Sequence, residues 1–145
     1  MLNIAQVYPA RPRNSKISKS CYKVSYANII QSVAIAMCRD EGGYLAVITS
    51  AAERDAIQSI LLSDDDVYFY VDGTDVELEG TWKTQTGETM QNVPFQVPSG
   101  AELYGWSEPD GGSSENCLKM DITQFADIGC DYIASGALCE LSLDY

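Results

Sequence analysis

Apolar residues recur at two different spacings along this chain, and the change from one to the other predicts its elements. Cys21 to Ser25 alternates apolar or aromatic positions with polar ones, as a short strand does. From Tyr26 onward, Ala27, Ile30, Val33, Ala34, Met37 and Cys38 fall three and four residues apart. That spacing describes one apolar face of a helix, and Gly42 and Gly43 end it. Tyr44 to Ile48 is a compact apolar run of strand length. Thr49 or Ser50 caps a second helix, and Glu53 stands three residues after Ser50 as in a capping box. Ala56, Ile57, Ile60 and Leu61 supply the buried face of that helix.

The acidic triplet Asp64-Asp65-Asp66 predicts a solvated break, followed at once by a strand over Val67 to Val71. Asp72-Gly73 and the segment from Val76 to Trp82 read as a loop leading into another strand. Lys83 to Trp106 holds Gly87, Pro94, Pro98 and Gly100 with no sustained period, which predicts long loops. Cys117 to Met120 and Ala137 to Leu141 are the last two strand candidates. Two helices in the first half, then short strands and loops, make an α+β protein. The first twenty residues read as an N-terminal arm, and residues 21–145 as the domain.

Composition narrows the chemistry. At 145 residues the chain has the size of one domain with a real core, and 46% hydrophobic against 21% charged residues is ordinary for a folded protein. There is no histidine, which removes Ser-His-Asp and Cys-His nucleophiles and any zinc or haem site that needs imidazole. Nine basic against twenty-one acidic side chains leave a net charge of −12, which repels a phosphate backbone, so nucleic acid is not an expected partner. The basic cluster Arg11, Arg13, Lys16 and Lys19 sits with Pro9 and Pro12 and reads as a solvated tail. No apolar run approaches the ~18–20 residues of a membrane helix, and no signal-peptide core opens the sequence. Either an intracellular protein or a secreted one whose leader is absent from this sequence fits these counts.

The five cysteines, Cys21, Cys38, Cys117, Cys130 and Cys139, contain no Cys-x-x-Cys, which argues against a zinc ribbon and a thioredoxin-type pair. Two readings stand: buried thiols, or two disulfides and one leftover cysteine in an oxidising compartment.

Three carboxylate patterns invite chemistry. Asp75, Glu77, Glu79 and Gly80 occupy positions one, three, five and six of an EF-hand loop, but position twelve is Thr86, which cannot supply the bidentate carboxylate. This segment is expected instead to be an acidic hairpin loop with Val76 and Leu78 facing inward. Pairs drawn from Glu108, Asp110 and Glu115 would suit glycoside hydrolysis, a pattern that any acidic chain offers. The third pattern joins Glu108-Pro109-Asp110, Glu115-Asn116-Cys117 and Asp127-Ile128-Gly129-Cys130. If those carboxylates converge, a cation must sit between them, and an oxygen-only set suits calcium; a solvated acidic loop is the alternative.

Taken in order, the residues resemble the C-type lectin-like domain family. The resemblance runs through Cys21-Tyr22, Ala34 before Cys38, Gly43 to Ile48, Glu53, and Glu79-Gly80-Thr81-Trp82. It continues through Glu108-Pro109-Asp110, Glu115-Asn116-Cys117, Asp127 with Cys130, and Leu138-Cys139-Glu140. It implies an α+β C-type lectin-like fold: two helices flanking small antiparallel sheets, a long looped ligand-binding region, and disulfides Cys38–Cys139 and Cys117–Cys130.

The resemblance also implies a glycan partner bound through one calcium ion, held by Glu108, Asp110, Glu115 and Asp127, without catalysis. Two departures matter. The family's Trp-Asn-Asp reads Phe125-Ala126-Asp127 here, so an asparagine ligand is lost, and the sugar-selecting triplet is a hybrid, Glu-Pro-Asp. Both changes remove amide N–H donors that would hydrogen-bond sugar hydroxyls; Asn116 is a partial substitute. Recognition is therefore expected to lean on another sugar group, such as an acetamido, or on stacking by Tyr104 and Trp106. Trp82 is expected in the core. With the other four cysteines paired, Cys21 is left to bridge two subunits as a disulfide-linked dimer. The expected location is extracellular, with no membrane insertion. The alternative use of the same fold is a protein-binding or acidic matrix module whose sugar site is defunct.

Overall fold

The computed structural model describes residues 5–9, 19–61, 67–97, 103 and 115–142. One mixed sheet organises them. Its strands are β1 (Ala5–Pro9), β2 (Lys19–Ile29), β3 (Tyr44–Leu45), β4 (Phe69–Thr74), β5 (Cys117–Met120), β6 (Phe125–Ile128) and β7 (Ala134–Ser142). They are ordered β1-β2-β7-β4-β5-β6, and β3 also pairs with β7. The helices are α1 (Gln31–Asp40) and α2 (Ala51–Leu61). Among the described residues no helix is long and apolar enough to cross a membrane.

Strand alternation divides the core in two. Phe69 and Val71 of β4, Leu118 and Met120 of β5, and Leu138 of β7 join one buried cluster, together with Tyr22, Ile48, Trp82 and Phe125. The intervening Tyr70, Cys117, Ala137 and Cys139 join another, with Ile29, Leu45 and Ile128. Helix α1 contributes Ala34 and Cys38 to the second cluster, and α2 contributes Ile57 to the first. Each large side chain so buried contributes about 1.5–3 kcal/mol. Trp82 is in the core as expected, 5% exposed and edge-on to Phe95 at 5.9 Å.

Both expected disulfides are present, and they tie different layers. Cys38–Cys139 pins α1 to β7 with the Cα atoms 5.3 Å apart, and Cys117–Cys130 joins the start of β5 to the turn after β6. Cys21 is the free cysteine, half-buried in β2, in register with Val7 of β1 and Leu141 of β7.

The capping signal at α2 is real, with one shift. The Glu53 N–H donates to Ser50 Oγ at 3.1 Å, while Glu53 Oε1 accepts from the Thr49 N–H at 3.1 Å. Its other oxygen accepts the Tyr22 hydroxyl at 2.5 Å, so the cap also anchors the helix to β2.

Several elements differ from their expected bounds. Tyr26 to Ile29, expected as helix, continues β2 as a strand. Their pairing with β7 overrides the helical spacing: Tyr26 opposes Gly136 and Ile29 opposes Ala134 across an irregularity in register. Gly136 is required there, since a Cβ would stand 2.1 Å from the Ser25 carbonyl oxygen. Of the run Tyr44 to Ile48, only Tyr44 and Leu45 form a strand, β3. Ala46 remains extended, accepting the Asp72 N–H while its own N–H donates to the Leu138 carbonyl. The strand expected at the end of Val76–Trp82 is absent among the described residues; Lys83 makes only isolated bridges to Thr74 and Thr89. Two strands went unread: β1, taken from the N-terminal arm, and β6, whose short run encloses Ala126 and Asp127. The triplet Asp64-Asp65-Asp66 and the basic residues Arg11, Arg13 and Lys16 lie outside the described residues.

Candidate functional site

The site is assembled where β4, β5 and β6 end close together. β4 leaves the sheet through a register irregularity between Val71 and Thr74. The next residue, Asp75, donates its backbone N–H to the Asn116 carbonyl at 3.3 Å, which ties the loop to the segment leading into β5. The Asp75 side chain then turns back on its own loop. Its Oδ2 accepts the Gly80 N–H at 2.9 Å, and the Thr81 N–H donates to the Leu78 carbonyl at 2.9 Å. Gly80 has φ +85°, a left-handed conformation for which glycine is suited. The loop is thus a tight acidic turn.

Its apolar residues do not face inward. Val76 is 68% and Leu78 63% exposed, contrary to the sequence expectation. The physical reason is the inward position of Asp75: with its carboxylate occupying the buried side, at 2% exposure, the following residues arch outward.

Asp75 also carries an electrostatic signature. Its Oδ1 is buried and has no hydrogen-bond partner among the described residues. Glu79, though exposed, has its carboxyl raised above the ordinary value by local desolvation, then by the charge of Asp75, a hydrogen bond with Asp75, and the charge of Asp127. The Glu79 carboxyl therefore senses the charges of both Asp75 and Asp127. Asp127 is 3% exposed on β6, in register with Leu118 of β5. Glu115 and Asn116 are half-buried immediately before Cys117, which the disulfide to Cys130 holds against the turn after β6.

Of the expected calcium and sugar residues, the structure thus describes Glu115, Asn116 and Asp127, and places Asn116 and Asp127 around Asp75 and its loop. Glu108, Asp110, Tyr104 and Trp106 lie outside the described residues. Among the described residues no three His, Cys, Asp or Glu side chains form a group that could hold a metal ion. Asp75 and Glu79 are the residues that sequence reasoning passed over. They were weighed against an EF-hand loop and dropped with it, although the Asp-x-x-x-Glu-Gly spacing could have marked a turn that folds two carboxylates together.

Ala126, where the asparagine is lost, is 2% exposed and pairs with Lys119. Strand alternation turns it away from the face that Asp127 presents.

The turn after β6 is held from β4. The Tyr70 hydroxyl donates toward the carbonyls of Gly129 and Cys130, each at 3.2 Å, and to that of Tyr132. Burial, and then the charges of Tyr68 and Asp131, push the Tyr70 phenol up to about 12, so it remains a donor throughout the accessible pH range.

Comparison with known proteins places this geometry. The chain is 25% identical over 123 residues to the CD209 antigen of Symphalangus syndactylus, a match covering 85% of this chain and 30% of that protein. It thus spans about a third of the length of the curated relatives it matches. Its fold resembles the mouse scavenger receptor C-type lectin carbohydrate-recognition domain, with TM-score 0.67 and 24% identity over 87% of this chain and 91% of that one. It equally resembles the herring type II antifreeze protein, with TM-score 0.67 and 22% identity over 86% and 92%. The Lectin C-type domain family profile matches residues 25–141, and with the fold and both disulfides in place the chain belongs to the C-type lectin domain family.

Proposed function

We propose that this chain is a non-catalytic carbohydrate-binding module that engages glycans at the β4–β5–β6 end, assisted by calcium. The observation that carries the reading is the buried Asp75 Oδ1, without a hydrogen-bond partner among the described residues, in a carboxylate whose charge, with that of Asp127, reaches Glu79. Carboxylate oxygens so placed repel one another, and a hard cation relieves the repulsion. The ligand set we propose is Glu108, Asp110, Glu115 and Asp127, with Asp75 and Glu79 adding charge beside it. Bound calcium would supply open positions for two neighbouring sugar hydroxyls.

Amide donors are scarce in this set, since Ala126 offers none and Asn116 is the one amide side chain the reading places there. Sugars with a further polar group, such as the acetamido of GlcNAc or GalNAc, suit it, and so does stacking on Tyr104 and Trp106. The module acts outside the cell in this reading, where its two disulfides persist. A bridge through Cys21 would make a weak site bivalent; a non-reducing gel showing monomer alone overturns the bridge.

A second reading, a protein-binding or matrix module with a defunct sugar site, is favoured by Ala126, which is apolar and buried where a ligand amide is lost. A glycan array run with calcium and with chelator separates the two. Calcium-dependent binding supports the lectin, binding in both conditions keeps the lectin but removes calcium from it, and binding in neither favours the second reading.

A further inference from the structure

Asp72, on the stretch of β4 that leads to Asp75, has no part in the glycan reading. It lies on β4, 2% exposed, with Oδ2 accepting the Gln85 N–H at 3.1 Å and Oδ1 without a partner among the described residues. Gln85 belongs to the loop from Thr81 to Met90. That loop is stitched to itself by the Met90 N–H on the Trp82 carbonyl, and to β4 by two bonds between Thr74 and Lys83. Asp72 is therefore a buried side-chain clasp on the inner edge of the loop.

Among the described residues no cation is paired with Asp72. The charge of Glu140 on β7 reaches it; this second carboxylate is wholly buried and accepts the Tyr44 hydroxyl of β3 at 3.2 Å and the Val47 N–H at 3.1 Å. On the loop, Lys83 is drawn outward to Glu77 at 3.0 Å, and Glu88 is exposed. On β5, Lys119 lies over the Tyr68 ring, 4.5 Å from its centroid. The Ala46 segment presents only its backbone carbonyl, which accepts the Asp72 N–H.

We propose that Asp72, buried beneath the Gln85 N–H that it accepts, is an acid-responsive latch: with Asp72 protonated the Lys83–Thr89 part of the loop, between the core residues Trp82 and Met90, is held shut over β4, and with Asp72 charged that part opens more readily. When the loop opens, water reaches the carboxylate and relieves the cost of holding an ion in the interior. That relief exists only for the charged form. Burial is the largest cause raising the Asp72 carboxyl, from 3.8 to about 6, with Gln85 and Gly73 opposing it and Glu140 adding to it. Between pH 5 and pH 7 the population of the open loop then rises about tenfold, since each pKa unit is worth about a factor of ten.

Amide hydrogen exchange on the intact chain tests this, with rates corrected for their intrinsic pH dependence. The expected result is that protection of the Lys83 and Gln85 amides, which bond Thr74 and Asp72, falls about tenfold from pH 5 to pH 7, while amides of β7 change less. In Asp72→Asn the loop protection should be flat over the same range. A parallel readout needs no variant: the Asp72 carboxyl carbon, followed by NMR, should titrate near pH 6 in the wild type. A carboxyl titrating in the ordinary range near pH 4, or loop protection independent of pH in the wild type, overturns the proposal. Equal pH dependence in wild type and Asp72→Asn overturns it too.

Discussion

The Asp75 carboxylate accepts the backbone N–H of Gly80 at 2.9 Å, closing the loop that carries both residues. The bond commits one oxygen of Asp75 to holding the loop and leaves the other buried, without a hydrogen-bond partner among the described residues. The same geometry pushes Val76 and Leu78 into solvent and sets Glu79 within reach of the charges of Asp75 and Asp127.

Gly80→Ala should destabilise the chain through the backbone alone. At φ +85° a Cβ is strained, yet it would meet nothing within 4 Å. A loss of about 1 kcal/mol is expected, read as a lower denaturant midpoint with unchanged slope. A loss several times larger would mean that the turn does more than position its own residues.

Tyr70→Phe removes the hydroxyl that the Gly129, Cys130 and Tyr132 carbonyls share. The expected cost is about 1–3 kcal/mol, as those acceptors lose a buried donor. Exchange at amides from Gly129 to Ile133 should quicken more than at the β2–β7 ladder. Uniform quickening would show that the hydroxyl does not act on this turn in particular.

The two disulfides should differ in worth. Cys38 and Cys139 are 101 residues apart and Cys117 and Cys130 only 13. By the chain-entropy relation the first contributes about 4.7 kcal/mol and the second about 3. Paired Cys→Ala replacements compared by equilibrium unfolding should rank in that order.

Stability should depend on pH through Asp72. Its carboxyl is raised from 3.8 to about 6, so the folded chain binds that proton more tightly than the unfolded chain does. The stabilisation this brings is complete below about pH 4 and is lost as pH rises through 6, a change on the order of 3 kcal/mol. Asp72→Asn should therefore melt higher than the wild type at pH 7. At pH 4 the two should nearly coincide. An equal gap at both values would assign the difference to packing rather than to the proton.

Much of the fold was legible along the chain because its signals are local. The face Ala34–Cys38 and the Ser50–Glu53 cap lie within a turn or two of one another, and both helices formed where those signals stand. The strand Cys117–Met120 matches its expected bounds. The elements misread are those decided from elsewhere in the chain. Tyr26 to Ile29 keep a helical spacing, yet β7, more than a hundred residues later, takes them as a strand. β6 is only four residues long and carries an aspartate in its interior; its pairing with β5 makes it a strand. Of the site, the sequence pointed to Glu115, Asn116 and Asp127 through their place in an ordered set of motifs. Asp75 stands in none of those motifs, and Glu79 stands in one without a ligand role, because the turn that brings their carboxylates together is visible only once Gly80 closes it.

The sequence by itself determined the class of this protein. Its two helical faces and short strands are those of an α+β protein, and its motifs, in order from Cys21-Tyr22 to Leu138-Cys139-Glu140, resemble the C-type lectin-like domain family. Tertiary structure alone decided where charge is trapped. Whether an aspartate is solvated or buried depends on partners distant in the chain, and nothing in the local pattern of Asp72 or Asp75 distinguishes them from the exposed acids around them. Asp72 is buried beneath the loop whose Gln85 N–H it accepts, and Asp75 lies within its own turn, bonded to the Asn116 backbone. Two buried carboxylates, each with an oxygen lacking a donor among the described residues, are thus set apart within a chain whose net charge is −12.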